Sequence, residues 1–355
     1  MAAIAQIVES FAYGTAKSVL QLCRFIGPEH RITIFYGVRP GTDLELPEVD
    51  PRVTLTPLPG SGPAKHASNV RFLARSLQRG FDVVHGHSSY GGLYAKLTGP
   101  KLGLRTLYSP RGYSFLRQDF PAVSRWAFRT VESLTAKRCT TISCGPYEHR
   151  LSQELGGESI CINNGFDIRR PLAVDQLRPV VLGVGRICPQ KGFDRFLDIA
   201  KRCPEHEFLW VGESAPGCEP DPASVPANLR LLPYLPHEQL LDQITHSRVI
   251  MLPSRWEGLS RFLIESVCMG KAIITSRFPA NLDCLDGDPK GQQFANGFAC
   301  EEIEDYVGAI GHLMADDGML QRMQQASHRF AKQNFDIDII AQRWRELYDS
   351  TKQTV

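Results

Sequence analysis

The sequence predicts an α/β protein made of two doubly wound, Rossmann-like domains in tandem. Three observations point there. The chain is 355 residues long, which suggests two domains at ~150 residues each; apolar residues make up 43 %, enough for a core in both. Short apolar, β-branched runs alternate with segments of helical period, the pattern of a parallel sheet covered on both faces. That alternation breaks once, at Asn163-Asn164-Gly165-Phe166-Asp167, and then restarts.

The first half opens with the apolar run Ala3–Val8, a buried strand, followed by a helix over Thr15–Phe25 that carries Val19, Leu20, Leu22 and Cys23 at helical spacing. Strands are expected at Arg31–Tyr36 and Val53–Pro57, where β-branched and aromatic residues concentrate. A helix over Val70–Leu77, a strand at Phe81–His85, a helix from Gly91 to Leu97 and a strand at Leu104–Tyr108 follow. Pro121–Lys137 reads as a long amphipathic helix, and strands at Thr140–Cys144 and Ile160–Ile162 close the half. The polar, proline-bearing stretch Arg169–Pro179 is the expected linker.

The second half repeats the scheme. It has strands at Val180–Gly185, Phe208–Val211, Leu229–Leu232, Val249–Pro253 and Ala272–Thr275, and helices at Phe193–Lys201, Glu238–Thr245 and Arg261–Met269. Beyond Glu301 the chain is mostly helical. Two such domains place a ligand in the cleft between them, at the carboxyl ends of the strands.

Other classes fit less well. No apolar run reaches the ~18 residues of a membrane span, and the start of the chain lacks the basic, long-apolar signature of a signal peptide. The ten cysteines form no CxxC pair and are expected to be reduced core residues of a cytosolic protein. Net charge is +2, too little for a nucleic-acid reader, but it is unevenly spread. Residues 1–165 hold 19 Lys+Arg against 12 Asp+Glu, or +7; the remaining 21 and 26 make residues 166–355 −5. The bases Lys96, Lys101, Arg105, Arg111, Arg117, Arg125 and Arg129 face one acid, Asp119, and Phe115 and Phe120 precede a helix bearing Trp126 and Phe128. Bases with aromatics suit an anionic bilayer surface; the other reading puts Trp126 and Phe128 in the core with the bases solvated.

Two constellations carry chemistry. Gly183-Val184-Gly185-Arg186-Ile187-Cys188-Pro189-Gln190-Lys191-Gly192 follows a strand and opens a helix. A glycine turn, a helix N-terminus and two bases suit a diphosphate, or else form an ordinary strand–helix turn. The segment is neither a Walker A loop nor GxGxxG. In Pro253-Ser254-Arg255-Trp256-Glu257-Gly258-Leu259-Ser260-Arg261-Phe262-Leu263-Ile264-Glu265, Ser260 reads as the N-cap and Gly270 as the C-terminal stop of a helix. Glu257 sits in the loop and Glu265 inside the helix, two stations along one ligand. A carboxylate accepts both hydroxyls of a vicinal diol; solvated surface glutamates are the alternative.

Glu257, seven residues and Glu265, at a strand–loop–helix junction ~70 residues after Gly-Arg-x4-Lys-Gly, resemble the family-four retaining glycosyltransferases of the GT-B fold (glycosyl transferases group 1). The resemblance extends to Glu9-Ser10-Phe11-Ala12-Tyr13-Gly14 (a glycine loop), to Asp82-Val83-Val84-His85-Gly86-His87, to Asn164-Gly165-Phe166-Asp167, and to the closing helix Ile337–Tyr348 with Trp344 and Leu347. It implies an acceptor-side domain over residues 1–165, a nucleotide-sugar domain over 166–335, facing it across a cleft, and a crossing helix in 336–355.

The resemblance also implies roles. Glu265 would bind the ribose of a UDP- or GDP-sugar. Glu257 would contact the sugar, with the Gly258, Leu259 and Ser260 amides near sugar and phosphate. Arg186 and Lys191 would grip the diphosphate, and Gly14 would let its loop close over it. The family carries a histidine in many members where this chain has Arg111, in Ser109-Pro110-Arg111-Gly112-Tyr113; arginine cannot act as a general base. Arg111, His85 and His87 are candidates for acceptor or sugar contacts. Asp286-Gly287-Asp288 matches a metal motif only in letters, so no cofactor and no metal are expected, and Arg186 and Lys191 would neutralise the leaving group.

The expected activity is retaining hexosyl transfer to a lipid-linked or oligosaccharide acceptor in surface polysaccharide, including lipopolysaccharide, assembly, by a cytoplasmic enzyme peripheral on the inner face of the plasma membrane. The rivals are a GT-B sugar-nucleotide epimerase, with Glu9 and Asp119 as candidate acid and base, and a nucleotide-sugar sensor without turnover.

Overall fold

The computed structural model describes residues 1–39, 42, 49–60, 62 and 64–350. The chain divides into two units: Met1–Asn164 with Asp338–Val355, and Gly165–Ile337. The end of the expected crossing segment, residues 351–355, lies outside the described residues.

The first unit runs β1 (Ala3–Val8), α1 (Tyr13–Ile26), β2 (Arg31–Tyr36), β3 (Thr54–Pro57), α2 (Lys65–Ser76), β4 (Val83–His87), α3 (Ser88–Thr98), β5 (Arg105–Ser109), α4 (Ala122–Thr135), β6 (Thr140–Ser143), α5 (Pro146–Glu154) and β7 (Glu158–Cys161). Its seven strands are ordered β3-β2-β1-β4-β5-β6-β7 and all pairs are parallel. Alternation along β1 builds both cores. Ile4 and Val8 face the cluster that takes in Val19, Leu20 and Cys23 of α1, while Ala5 and Ile7 face Leu73 of α2 and Tyr94 of α3.

The second unit runs β8 (Arg178–Val184), α6 (Phe193–Arg202), β9 (Glu207–Val211), β10 (Leu229–Leu232), α7 (His237–His246), β11 (Ser247–Leu252), α8 (Arg261–Cys268), β12 (Ile273–Ser276), α9 (Pro279–Leu282), β13 (Gln293–Phe294), β14 (Gly297–Cys300), α10 (Ile303–Ala315) and α11 (Asp317–Asn334). Its order is β10-β9-β8-β11-β12-β14-β13, parallel except for the edge pair β13–β14. The last helix, α12 (Ile337–Asp349), puts Ile340, Trp344, Leu347 and Tyr348 into the first unit's core.

Four elements escape the sequence pattern, the four-residue α9 among them. α5 buries Glu148, Leu151 and Ser152, a mixed set with no apolar stripe. β13 and β14 are two and four residues long, β14 opening on Gly297, and are too short to show a period. The cysteines are all free, with Cys161, Cys188 and Cys218 partly exposed and the other seven buried.

The basic, aromatic stretch of the first unit divides differently from either sequence reading. Lys96 is a core residue: its Nζ donates to Glu132 at 2.6 Å and lies 3.9 Å over the Tyr108 ring. Phe115 is buried, and Phe128 stacks on Phe120. Trp126 is not core; 69 % of it is exposed. No helix of the described residues is long and apolar enough to cross a membrane.

Candidate functional site

Both loops with candidate chemistry leave the carboxyl ends of adjacent strands, β8 and β11, which pair in parallel. After β8 the chain turns through Gly185 and exposed Arg186, makes a short 3-10 turn at Pro189–Lys191, and enters α6 at Gly192. Gly192 has φ +69°, and a Cβ there would stand 2.1 Å from the Pro253 carbonyl oxygen. Only glycine satisfies both demands, so this residue lets the two loops touch. They are also stitched by polar groups. Arg255 donates from its backbone to Gln190 O at 2.9 Å and from its guanidinium to Pro189 O at 2.8 Å, while Gln190 Nε2 donates to Trp256 O. The same guanidinium holds Asp194 in α6.

This stitching brings Lys191 to Glu257. Glu257 Oε1 accepts from Lys191 Nζ at 2.6 Å and from Ser254 Oγ at 2.8 Å. Glu257 and Ser254 are buried and Lys191 partly so. Lys191 is therefore not a lone cation awaiting an anion; it comes with its own counter-charge, and a bound diphosphate would share it.

Glu265 lies in the second turn of α8, buried, and one of its oxygens is already used. Oε1 accepts from Arg261 Nη2 at 3.0 Å and from His237 Nε2 at 3.3 Å. Burial by itself would raise this carboxyl; the hydrogen bond from His237 and the Arg261 guanidinium outweigh it and hold the group below the usual range. Glu265 thus stays ionised, an acceptor for ligand hydroxyls.

Gly258, Leu259 and Ser260 complete the turn into α8. Ser260 occupies the N-cap position, but its hydroxyl makes no cap hydrogen bond and, although buried, finds no partner among the described residues. The expected side-chain cap is absent, which leaves first-turn amides and a buried hydroxyl at one helix N-terminus, the groups that suit phosphate. Gly270 follows α8 with φ +64°, as a C-terminal stop requires.

The first unit holds its candidates in a separate network. His85 Nδ1 meets Tyr348 OH at 2.6 Å and its Nε2 meets Ser109 Oγ at 3.0 Å. His87 Nε2 meets Gln6 Oε1 at 2.7 Å, and Arg111 Nε donates to His87 Nδ1 at 3.3 Å. Because Gln6 Oε1 accepts, His87 carries its proton on Nε2. Burial first, then the Arg111 charge at His85 and the neighbouring His85 and Arg111 at His87, push both histidines well below the ordinary imidazole range. They are neutral props, with no nitrogen left for a ligand. Arg111 itself has φ +53°, an uncommon conformation for arginine, and His87 braces it.

Gly14 stands differently from its expected place. It is exposed, but it lies in the first turn of α1, where its carbonyl accepts from Ser18 Oγ, rather than in a loop free to close. Of the epimerase candidates, Glu9 is held by Arg39 and Lys65, and Asp119 pairs with Arg117 at the surface. Among the described residues, one group of three side chains could ligate a metal: Glu29, His30 and Asp349. Asp286 and Asp288 belong to a turn, where Asp288 caps Lys290 N.

Sequence reasoning passed over Ser254, Arg255, Gln190, His237 and Arg261. Arg261 was findable, four residues before Glu265 on one helix face. His237 was not, because it reaches Glu265 from another helix.

Residues 166–330 match the family described as glycosyl transferases group 1, and residues 13–159 match the glycosyl transferase 4-like domain. The chain is 24 % identical over 304 residues to the UDP-Gal:alpha-D-GlcNAc-diphosphoundecaprenol alpha-1,3-galactosyltransferase of Escherichia coli, covering 76 % of this chain and 75 % of that one. It is 22 % identical over 167 residues to an uncharacterized 42.6 kDa protein in the cps region of Klebsiella pneumoniae, covering 46 % of this chain and 39 % of that relative's length. Among solved structures, Anabaena Alr3699/HepE in complex with UDP and glucose superposes with a TM-score of 0.78 at 16 % identity over 99 % of this chain and all of that one; at that identity the likeness is one of fold.

Proposed function

The chain belongs to the group 1, GT4-like glycosyltransferases of the GT-B fold, and we propose that it is a retaining, metal-independent enzyme moving a hexose from a UDP- or GDP-sugar to a hydroxyl of a lipid-linked or oligosaccharide acceptor. The observation that carries this reading is the pair of buried glutamates in the second unit, each held by a base and a second donor: Glu257 on Lys191 and Ser254, and Glu265 on Arg261 and His237.

In this reading Glu265 takes the ribose hydroxyls on the oxygen that Arg261 and His237 leave open. Glu257, held by Lys191, contacts the transferred sugar. Amides of Gly258, Leu259 and Ser260 and the start of α8 face the phosphate, and Arg186 and Lys191 take up charge as the anomeric C–O bond breaks. The acceptor oxygen bonds the anomeric carbon on the departing face and gives its proton to the leaving diphosphate. Glu257 Oε1 already serves two donors, which suits a positioning carboxylate better than a nucleophile. Arg111, braced by His87, is the first unit's candidate contact for acceptor or donor phosphate. The substrate named for the Escherichia coli relative, a diphosphoundecaprenol-linked sugar, supports a lipid-linked acceptor.

The test incubates the protein with labelled UDP- and GDP-sugars and lipid-linked glycans. Transfer with retention at the anomeric centre is expected, unaffected by excess EDTA. Epimerised donor, binding without turnover, or strict dependence on Mg or Mn would overturn the reading. A donor thermal-shift screen identifies the nucleotide first, since ligand at ~100 times its Kd stabilises by about 2.7 kcal/mol.

A further inference from the structure

The helix α4 is built inside out. Its one buried residue is a glutamate, Glu132, fixed by Lys96 and by Tyr108 OH at 2.7 Å. Its apolar residues face solvent, except Phe128, which packs on Phe120 and Tyr90. Val123 is 76 % exposed, Trp126 69 %, Val131 42 % and Leu134 76 %, and Ala127 is exposed between them. Positions 123, 126, 127, 131 and 134 fall at helical spacing, so they form one stripe. Half of the large apolar side chains exposed on the described surface are on this one helix: the others are Met1, Val38, Tyr234 and Ile339. Beside the stripe, a recess of about 200 Å³ opens between α3 and α4, lined by Leu93, Ala127, Phe128 and Val131.

We propose that this face of α4 seats the first unit in the headgroup region of an anionic bilayer. The inference rests on the lipid-linked acceptor for its purpose, though the helix argues it alone. A stripe of this kind, carrying a tryptophan and flanked by bases, fits an interface where one side is apolar and the other wet and negative. The bases are exposed Arg129, Lys137 and Arg138; Arg129 also pairs with Glu154, and Arg117, nearby, with Asp119. Glu132, the acid on the helix, is buried and neutralised by Lys96, so it does not repel a negative surface. A second copy of this chain is the less suitable occupant. A two-fold contact through the stripe would gather the bases of both copies at one seam, with no exposed acid of α4 to offset them.

The protein reports on itself. Of its four tryptophans, Trp210, Trp256 and Trp344 are buried, so a change of emission on docking comes from Trp126. Mixing the full chain with phosphatidylglycerol-containing vesicles should shift that emission to the blue and sediment the protein, and ~0.5 M salt should release it. Phosphatidylcholine vesicles should do neither. Trp126→Ser with Leu134→Ser should cut the bound fraction about tenfold while the thermal midpoint and donor binding stay as they were, both sites being exposed. Lys137→Glu with Arg138→Glu should weaken anionic binding without touching the stripe.

Emission unmoved by anionic vesicles, equal binding to both vesicle types, or a blue shift that grows with protein concentration in their absence would overturn the proposal, the last in favour of a second copy. Donor binding without vesicle binding sinks this inference alone. Vesicle binding with no affinity for any nucleotide sugar leaves it standing and overturns the donor reading.

Discussion

At the scale of single residues, the second unit pairs each candidate carboxylate with its own cation, and this sets what substitutions do. Glu265→Ala is expected to weaken donor binding at least tenfold while turnover at saturation changes little, because a ribose contact is nearly the same in ground and transition states. Titration calorimetry with the donor and steady-state kinetics separate the two; unchanged affinity would remove Glu265 from the ribose. Arg186→Ala and Lys191→Ala should each lower turnover by about 100-fold, the worth of a fixed cation at developing charge; Lys191→Ala also strands Glu257 in a buried site, so its loss should be the larger.

A residue outside the site makes the pH prediction. Lys271 is 1 % exposed, its Nζ donates to Thr245 O at 3.1 Å, and burial lowers its pKa from 10.5 to about 7. With the folded value below the unfolded one, the unfolded chain binds more protons between pH 7 and 10.5, so this group makes stability rise with pH across that window and imposes its full cost below it. Lys271→Met should therefore stabilise the protein by about 1–4 kcal/mol at neutral pH, with the gain shrinking toward pH 10. Denaturant melts of both proteins across that range check the sign.

At the scale of elements, α4 shows how little an amphipathic pattern says about which side is inside. The sequence marks the helix, its bases and its aromatics, but the arc that faces the protein is chosen by Glu132, which pairs with Lys96 from α3. Lys96→Met should leave a buried, unpaired carboxylate and cost about 3–5 kcal/mol, while Lys96→Met with Glu132→Leu should recover most of it. Equal losses in the single and double variants, read from urea melts, would mean that the pair is not what holds α4 down. The elements of the site divide in the same way. β8, β11 and α8 are legible from apolar runs and a glycine stop, and so is the order of their loops. The stitching through Arg255, Gln190 and Gly192 is not, because it joins residues some 65 apart.

At the scale of the whole molecule, the last helix decides which unit is complete. α12 follows the second unit in the chain but buries Trp344, Leu347 and Tyr348 in the first, where Tyr348 OH also bonds His85 and Gln6. Ending the chain at Asp336 should lower the melting transition of the first unit and leave that of the second in place; two-transition calorimetry would show it. A uniform shift of both transitions would contradict this division of the core.

The sequence by itself determined the two α/β halves, the break near Asn164, the strand-end loops and the glutamates they carry. All of these are written in local periods, turn residues and spacing, which act over a few residues. Only the tertiary structure decided that Lys191 arrives already paired, that His237 shares Glu265, that His85 and His87 are neutral props with no free nitrogen, and that Trp126 faces out while Lys96 faces in. Each of those depends on which distant side chain completes a buried hydrogen bond or ion pair, and the cost of leaving such a group unpaired acts only once the chain has folded.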